Sequence, residues 1–128
     1  MNVDTDHAVG AIIERNGKYL LIERKHYPLG FACVAGHVQQ NETPEEALTR
    51  EVLEESGLQV VSFKKIHEEF VTWSDCRFHQ SHHWFVYRVV VKGTVQLCKD
   101  EALSIGWYTQ EEMKKLKLEK VWEHFLSL

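Results

Sequence analysis

The chain is poor in the residues that build crosslinked, membrane-spanning or repetitive proteins. Its three cysteines, Cys33, Cys76 and Cys98, are odd in number, far apart and without a CxxC pair. That excludes a disulfide framework and a thiolate metal cage, and it points to a reduced, cytoplasmic setting. Only two prolines, Pro28 and Pro44, occur in 128 residues, and no linker, low-complexity tract or internal repeat is visible. No apolar run approaches the roughly 18 residues of a membrane-spanning helix, so no membrane partner is expected. The charged, His-containing start MNVDTDHA is unlike a signal peptide. Positive charge is scarce as well. With 15 Lys+Arg against 19 Asp+Glu the net charge is −4, leaving no basic stripe to neutralise many phosphates, so a nucleic-acid partner is not expected. What remains, 44% hydrophobic and 27% charged residues, is the make-up of one soluble domain, 1–128, long enough for a core but short for two.

Periodicity places the elements. Residues 7–14 (HAVGAIIE) and 18–24 (KYLLIER) are β-rich runs joined by Asn16-Gly17, a strong hairpin signal. A loop over Pro28 leads to a short strand at 31–35. Further strands are expected at 59–66, 68–74, 82–91, 94–98 and 103–109, with 82–91, apolar almost throughout, in the middle of the sheet. Helices are expected at 110–117 and 119–127, the second burying Val121, Trp122, Phe125 and Leu126. Together with a helix before residue 57, this order predicts an α/β/α sandwich around a mixed β-sheet.

That helix carries the chemistry. Thr43 is a natural N-cap, Pro44 suits the first helical position, and Glu46 completes a capping box; Glu46 and Arg50 form a favourable i,i+4 pair. Ala47, Leu48 and Val52 make one apolar stripe, with Glu51, Glu54 and Glu55 along its border. These three glutamates crowd the last turn ahead of Gly57, where the helix dipole favours cations, and Glu51 repels the other two across one turn. Three repelling carboxylates at the negative end of a dipole call for a bound cation. Hard oxygen donors suit Mg²⁺ or Mn²⁺. Such an ion bridges phosphate oxygens and acidifies water, so water attack on a diphosphate bridge is the expected reaction.

The spacing Gly36, Glu42, then Arg50-Glu51-Val52-Leu53-Glu54-Glu55-Ser56-Gly57-Leu58 resembles the Nudix box at every defined position. The resemblance implies a loop–helix–loop that binds divalent metal and cleaves nucleoside diphosphates linked to another moiety. It implies Glu51, Glu54, Glu55 and the Gly36 carbonyl as metal ligands, with Glu54 or Glu55 doubling as base. Arg50 is expected to orient a neighbouring glutamate, and Glu42 either braces the loop or joins the outer metal shell. The chain departs from the common pattern at Val34-Ala35-Gly36, where most members have Pro-Gly-Gly, and at Gln39 and Asn41, where many have Glu and Gly. Gln39 removes one carboxylate near the metals; Asn41 tolerates a left-handed backbone.

Outside the box, Glu101, with Asp100 as its rival, is a candidate acid or base on a loop. His37 is a candidate phosphate contact. Trp73, Trp84 and Phe70 are candidates to stack a base. His79, His82 and His83 lie close in sequence, but residues 82 and 83 leave a strand on opposite faces, which argues against a zinc site. Residues 71–77 (VTWSDCR) hold neither the Pro nor the Tyr that marks two substrate classes in this family. The lean is therefore to a nucleoside triphosphate pyrophosphatase releasing monophosphate and pyrophosphate. The alternative is a non-catalytic nucleotide-binding regulator of the same fold, against which the intact glutamates speak.

Overall fold

The computed structural model describes residues 3–73 and 82–128, with side chains from His7 onward. The elements run β1 (Val3–Arg15), β2 (Lys18–Arg24), β3 (Gly30–Ala32), β4 (Val34–Gln39), α1 (Pro44–Ser56), β5 (Gln59–Val71), β6 (His82–Lys92), β7 (Ala102–Tyr108), α2 (Gln110–Met113) and α3 (Lys120–Leu126). Asn16 and Gly17, at φ 55° and 77°, close the β1–β2 hairpin as its sequence requires.

The strands form one mixed sheet of seven. Its spine is β3-β2-β1-β6-β5, with β4 also paired to β1 and β7 to β2. Among the described strands only β1 and β6 run parallel, matching His7 to His83 and Ile13 to Val89. The long apolar run of β6 thus lies inside the sheet, between β1 and β5.

Strand alternation sorts the core into two layers. Val9, Ala11 and Ile13 of β1, with Tyr87 and Val89 of β6, pack against Ala47, Leu48 and Val52 of α1. On the opposite face, Ala8 and Ile12 of β1, with Trp84 and Val86 of β6, pack against Val121, Trp122 and Phe125 of α3. The result is the expected α/β/α sandwich. A hydrogen bond from the Tyr87 hydroxyl to Glu45 fastens β6 to the first turn of α1.

Four local expectations are corrected. The run 31–35 is two strands, because β3 pairs with β2 while β4 pairs with β1, and the chain crosses between them at Cys33. Residues 59–71 form one strand rather than two, since pairing with β6 continues past register shifts between Val60 and Ser62 and between Lys65 and His67. Residues 94–98 are not a strand: the Gln96 N–H donates instead to the Ser56 carbonyl (2.8 Å), satisfying one of the last carbonyls of α1. The helix expected over 110–117 stops at Met113. The backbone of 117–119 leaves it to pair with Phe31, whose N–H reaches the Lys117 carbonyl (2.8 Å) while its own carbonyl accepts from Glu119 (2.9 Å). No helix among the described residues is long and apolar enough to cross a membrane.

Candidate active site

The site is built on α1 and on the end of β4 that faces it. Thr43 Oγ1 accepts from the Glu46 N–H (3.1 Å), and the Glu46 carboxylate accepts from the Thr43 N–H (2.9 Å), closing the capping box. At the other end Gly57, at φ 76°, returns its N–H to the Leu53 carbonyl (2.9 Å). Between these stops Ala47, Leu48, Val52 and Ser56 are buried while Leu53 stands exposed, so Glu51, Glu54 and Glu55 rim the buried stripe. No basic residue lies in the last turn to offset them.

Arg50 organises the carboxylates. Its Nε and Nη2 grip Glu42 in a two-point hydrogen bond (2.8 and 3.0 Å), and Nη1 donates to Glu51 (2.6 Å) and Glu54 (3.2 Å). Nη2 also donates to the His37 carbonyl (3.0 Å). The expected Glu46–Arg50 pair does not form, because Glu46 is spent on the cap and the guanidinium has denser charge to meet. Glu42 in turn accepts from the Gln39 N–H (2.9 Å), bracing the loop before the helix; its hydrogen bonds from Arg50 hold its carboxyl below the usual carboxylate range. Asn41 takes the left-handed conformation (φ 67°) in that loop.

Gly36 lies so close to Glu51 that any Cβ there would overlap its carboxyl group. Glycine at this position is what lets the β4 backbone approach the helix end. Glu55 reaches into a small cavity walled by Arg24, Ala32, Cys33 and Glu101. Burial raises its carboxyl well above the usual range, and a hydrogen bond with Glu51 raises it further, against weaker opposition from the Ala35 N–H and the Arg24 charge. Two carboxyl groups pressed together, one of them buried, make a donor set that a divalent cation fits.

A cleft of about 330 Å³ opens beside this cluster, lined among others by Gly36, His37, Arg24, Tyr27, Trp84 and Glu101. The structure therefore brings Gly36 of the box together with His37, Trp84 and Glu101, while Glu55 borders the smaller cavity, which shares Arg24 and Glu101 with the cleft. Trp84 is a core residue with one flank on the cleft, packed edge-on to Trp122 and Phe125 (5.9 and 5.4 Å between ring centres). Its indole N–H has no hydrogen-bond partner among the described residues. Asp100 does not line the cleft; its carbonyl meets His26 (2.9 Å), which pins the 99–101 loop to the loop over Pro28.

Other candidates go elsewhere. Trp73 packs edge-on against His124 of α3 (5.2 Å), and Phe70 is exposed; neither lines the cleft. His83 points away from the cleft, bonded to Glu68 (2.6 Å) and stacked on Phe85, while buried His82 lies 4.9 Å from the His37 ring. His79 and Cys76 lie outside the described residues. Cys33 is buried, and burial, with the charge of Glu119, raises its thiol far above the range in which it would react.

Sequence reasoning missed Arg24 and Tyr27. Arg24 Nε is anchored on the Pro28 carbonyl (2.6 Å), which places its guanidinium between the cleft and the Glu55 cavity. A basic residue ending a strand, followed by two more basic or polar residues in the loop KHYPLG, gave no local signal of this.

A loop–helix–loop that gathers three glutamates beside a cleft, on a mixed sheet covered by helices on both faces, defines the class. The chain belongs to the Nudix family: the family model described as NUDIX domain matches residues 4–127. It is similar to an ADP-ribose pyrophosphatase of Methanocaldococcus jannaschii, 51% identical over 53 residues, 40% of this chain and 31% of that protein. It is also similar to the NAD-capped RNA hydrolase NUDT12 of Macaca fascicularis, 32% identical over 104 residues, 80% of this chain and 21% of the relative. The chain thus spans no more than about a third of the length of these relatives. A Nudix-family hydrolase from Clostridium perfringens has the same fold, with a TM-score of 0.73 and 25% identity over 88% of this chain and 87% of that one.

Proposed function

We propose that this protein is a divalent-metal-dependent hydrolase that cleaves a diphosphate linkage in a nucleotide derivative. The observation that carries this reading is the packing of Glu51 against Gly36, which lines the cleft, with Glu55 hydrogen-bonded to Glu51 and Arg50 aligning Glu51 and Glu54. Glu51, Glu54, Glu55 and the Gly36 carbonyl would hold Mg²⁺ or Mn²⁺. When bound, the ion supplies charge neutralisation at the phosphates and a more acidic water.

The chain's own residues do the rest. Arg24 meets the anionic phosphates from the far side of the Glu55 cavity, and His37 contacts them beside Gly36. Tyr27 and the exposed flank of Trp84 receive the base or the sugar. Glu55, or Glu101 across its cavity, takes the proton from the attacking water and hands it to the leaving phosphate. Arg50 and Glu42 orient and do not react.

For the substrate, the missing Pro and Tyr in 71–77 favour a nucleoside triphosphate, split into monophosphate and pyrophosphate. A second reading is favoured by the relatives, whose names point to ADP-ribose and NAD-capped RNA. In it the diphosphate joins two nucleoside or sugar groups. A panel of nucleoside triphosphates, ADP-ribose and NAD with Mg²⁺, products resolved by chromatography, separates these: pyrophosphate marks the first, two monophosphates the second. Binding without turnover of any of them would leave the regulator reading standing instead.

A further inference from the structure

A second cluster of metal-ligating side chains lies on the α3 face of the sheet, opposite α1. His67 and Glu69 are two positions apart on β5, so they leave the same face of that edge strand. Glu68, between them, points the other way to His83. α3 packs on this face through Val121, Trp122 and Phe125, and its last turn carries His124 to the strand. The Nε2 atoms of His67 and His124 both lie 2.8 Å from the same oxygen, Oε1 of Glu69. The three ligand atoms lie within 4.8 Å of one another.

The arrangement is held and reachable. His67 meets Phe125 edge-on (5.7 Å), while Trp73 and Phe125 flank the His124 ring (5.2 and 5.4 Å). About a third of each side chain stays in contact with solvent (33%, 29% and 33% for His67, Glu69 and His124). The box cluster offers only hard oxygens; here two imidazole nitrogens join one carboxylate.

We propose that His67, Glu69 and His124 form a binding site for a divalent transition-metal ion of the Zn²⁺ class, separate from the box, that clips edge strand β5 to α3. Two imidazoles and a carboxylate are a common three-ligand set for zinc, with a fourth position left to water. A tetrahedral ion with bonds of about 2.0–2.1 Å spaces its ligand atoms roughly 3.3 Å apart. The two 2.8 Å contacts therefore need to open only by about half an ångström, within the reach of small side-chain adjustments at a solvent-facing site. Each imidazole then offers the Nε2 lone pair and keeps its proton on Nδ1, so the two shared hydrogen bonds are exchanged for two metal bonds. An ion that binds this folded arrangement and not the unfolded chain stabilises the fold.

The test is a calorimetric titration of Zn²⁺ into the full chain in excess Mg²⁺, which occupies the hard-oxygen cluster. One Zn²⁺ per chain is expected, with affinity weakened by roughly tenfold or more in His67→Ala and in His124→Gln, and retained in Glu54→Gln. Thermal unfolding gives a second readout: Zn²⁺ should raise Tm for the wild type and Glu54→Gln but not for the two histidine variants. Should either histidine variant be misfolded by its circular dichroism, the other decides. Wild-type protein that takes up no Zn²⁺ beside Mg²⁺, histidine variants with unchanged affinity, or loss of the ion in Glu54→Gln would each overturn the proposal.

Discussion

Arg50 offsets much of the repulsion that its position on the helix suggests. From sequence, Glu51, Glu54 and Glu55 form a strained trio, with Glu51 repelling the other two. In the structure Glu51 and Glu54 each accept from Arg50, and the unrelieved group is Glu55, buried against Glu51. Glu55→Gln should therefore separate function from stability. Turnover in Mg²⁺ should fall by a few orders of magnitude, as should that of Glu54→Gln, whereas the chelated Glu55→Gln protein should unfold at higher urea, by about 1 kcal/mol. Wild-type kcat in both variants would remove them from the site. Glu101 is argued on position alone, across the cavity from Glu55. Glu101→Gln should lower kcat by roughly ten- to a thousandfold with a smaller change in KM; an unaltered kcat would reduce the loop to a connector.

Among the elements, α1 was legible because its instructions are local. Thr43, Pro44, Glu46 and Gly57 act within one turn of where they stand, and each takes the capping role its position implied, although Glu46 does not also pair with Arg50. Thr43→Ala removes the cap acceptor and should cost about 1 kcal/mol with an unchanged denaturant m-value; a loss of a few tenths would show that packing of the buried stripe fixes the helix start instead. Segments whose partners are distant were not legible. Gln96 caps α1 from forty residues further along the chain, as its contact with Ser56 shows, so TVQLC looked like a strand while its backbone served a helix. Likewise nothing near His124 in sequence announces Glu69, which lies 55 positions earlier. The box itself was readable because its three glutamates lie within about one turn of helix, whereas Arg24 and Tyr27 enter the cleft only through the folding of β2 and its loop.

At the scale of the whole molecule, pH enters through the Arg50–Glu42 tie, which joins the loop after β4 to α1. Glu42 has a folded pKa below its unfolded value, so its stabilisation is fully present above about pH 4.3, the ordinary value for glutamate, and is lost as pH falls through the lowered folded value. Glu42→Gln should then cost roughly 1–2 kcal/mol near neutrality. The gap from wild type should close as urea titrations are carried down in pH. A gap that stays constant into acid would mean the side chain acts through shape rather than charge. The fold class was legible from the order of strands and helices, but the parallel pairing of β1 and β6 was not, because parallel strands carry no turn signal between them.

That parallel pairing also sets a schedule for folding. Glu14 and Arg88, which touch across the β1–β6 seam, stand 74 positions apart. While the chain is being synthesised, the whole glutamate helix can emerge and curl up early, yet its apolar stripe lacks the Tyr87 and Val89 wall until β6 has followed. Closing so large a loop is slow, on the order of milliseconds or longer. Until it closes, a nascent chain already holds every residue of the box and has no finished surface to hold them against. Completion of the site is therefore timed by the last third of the chain, which contains none of the motif.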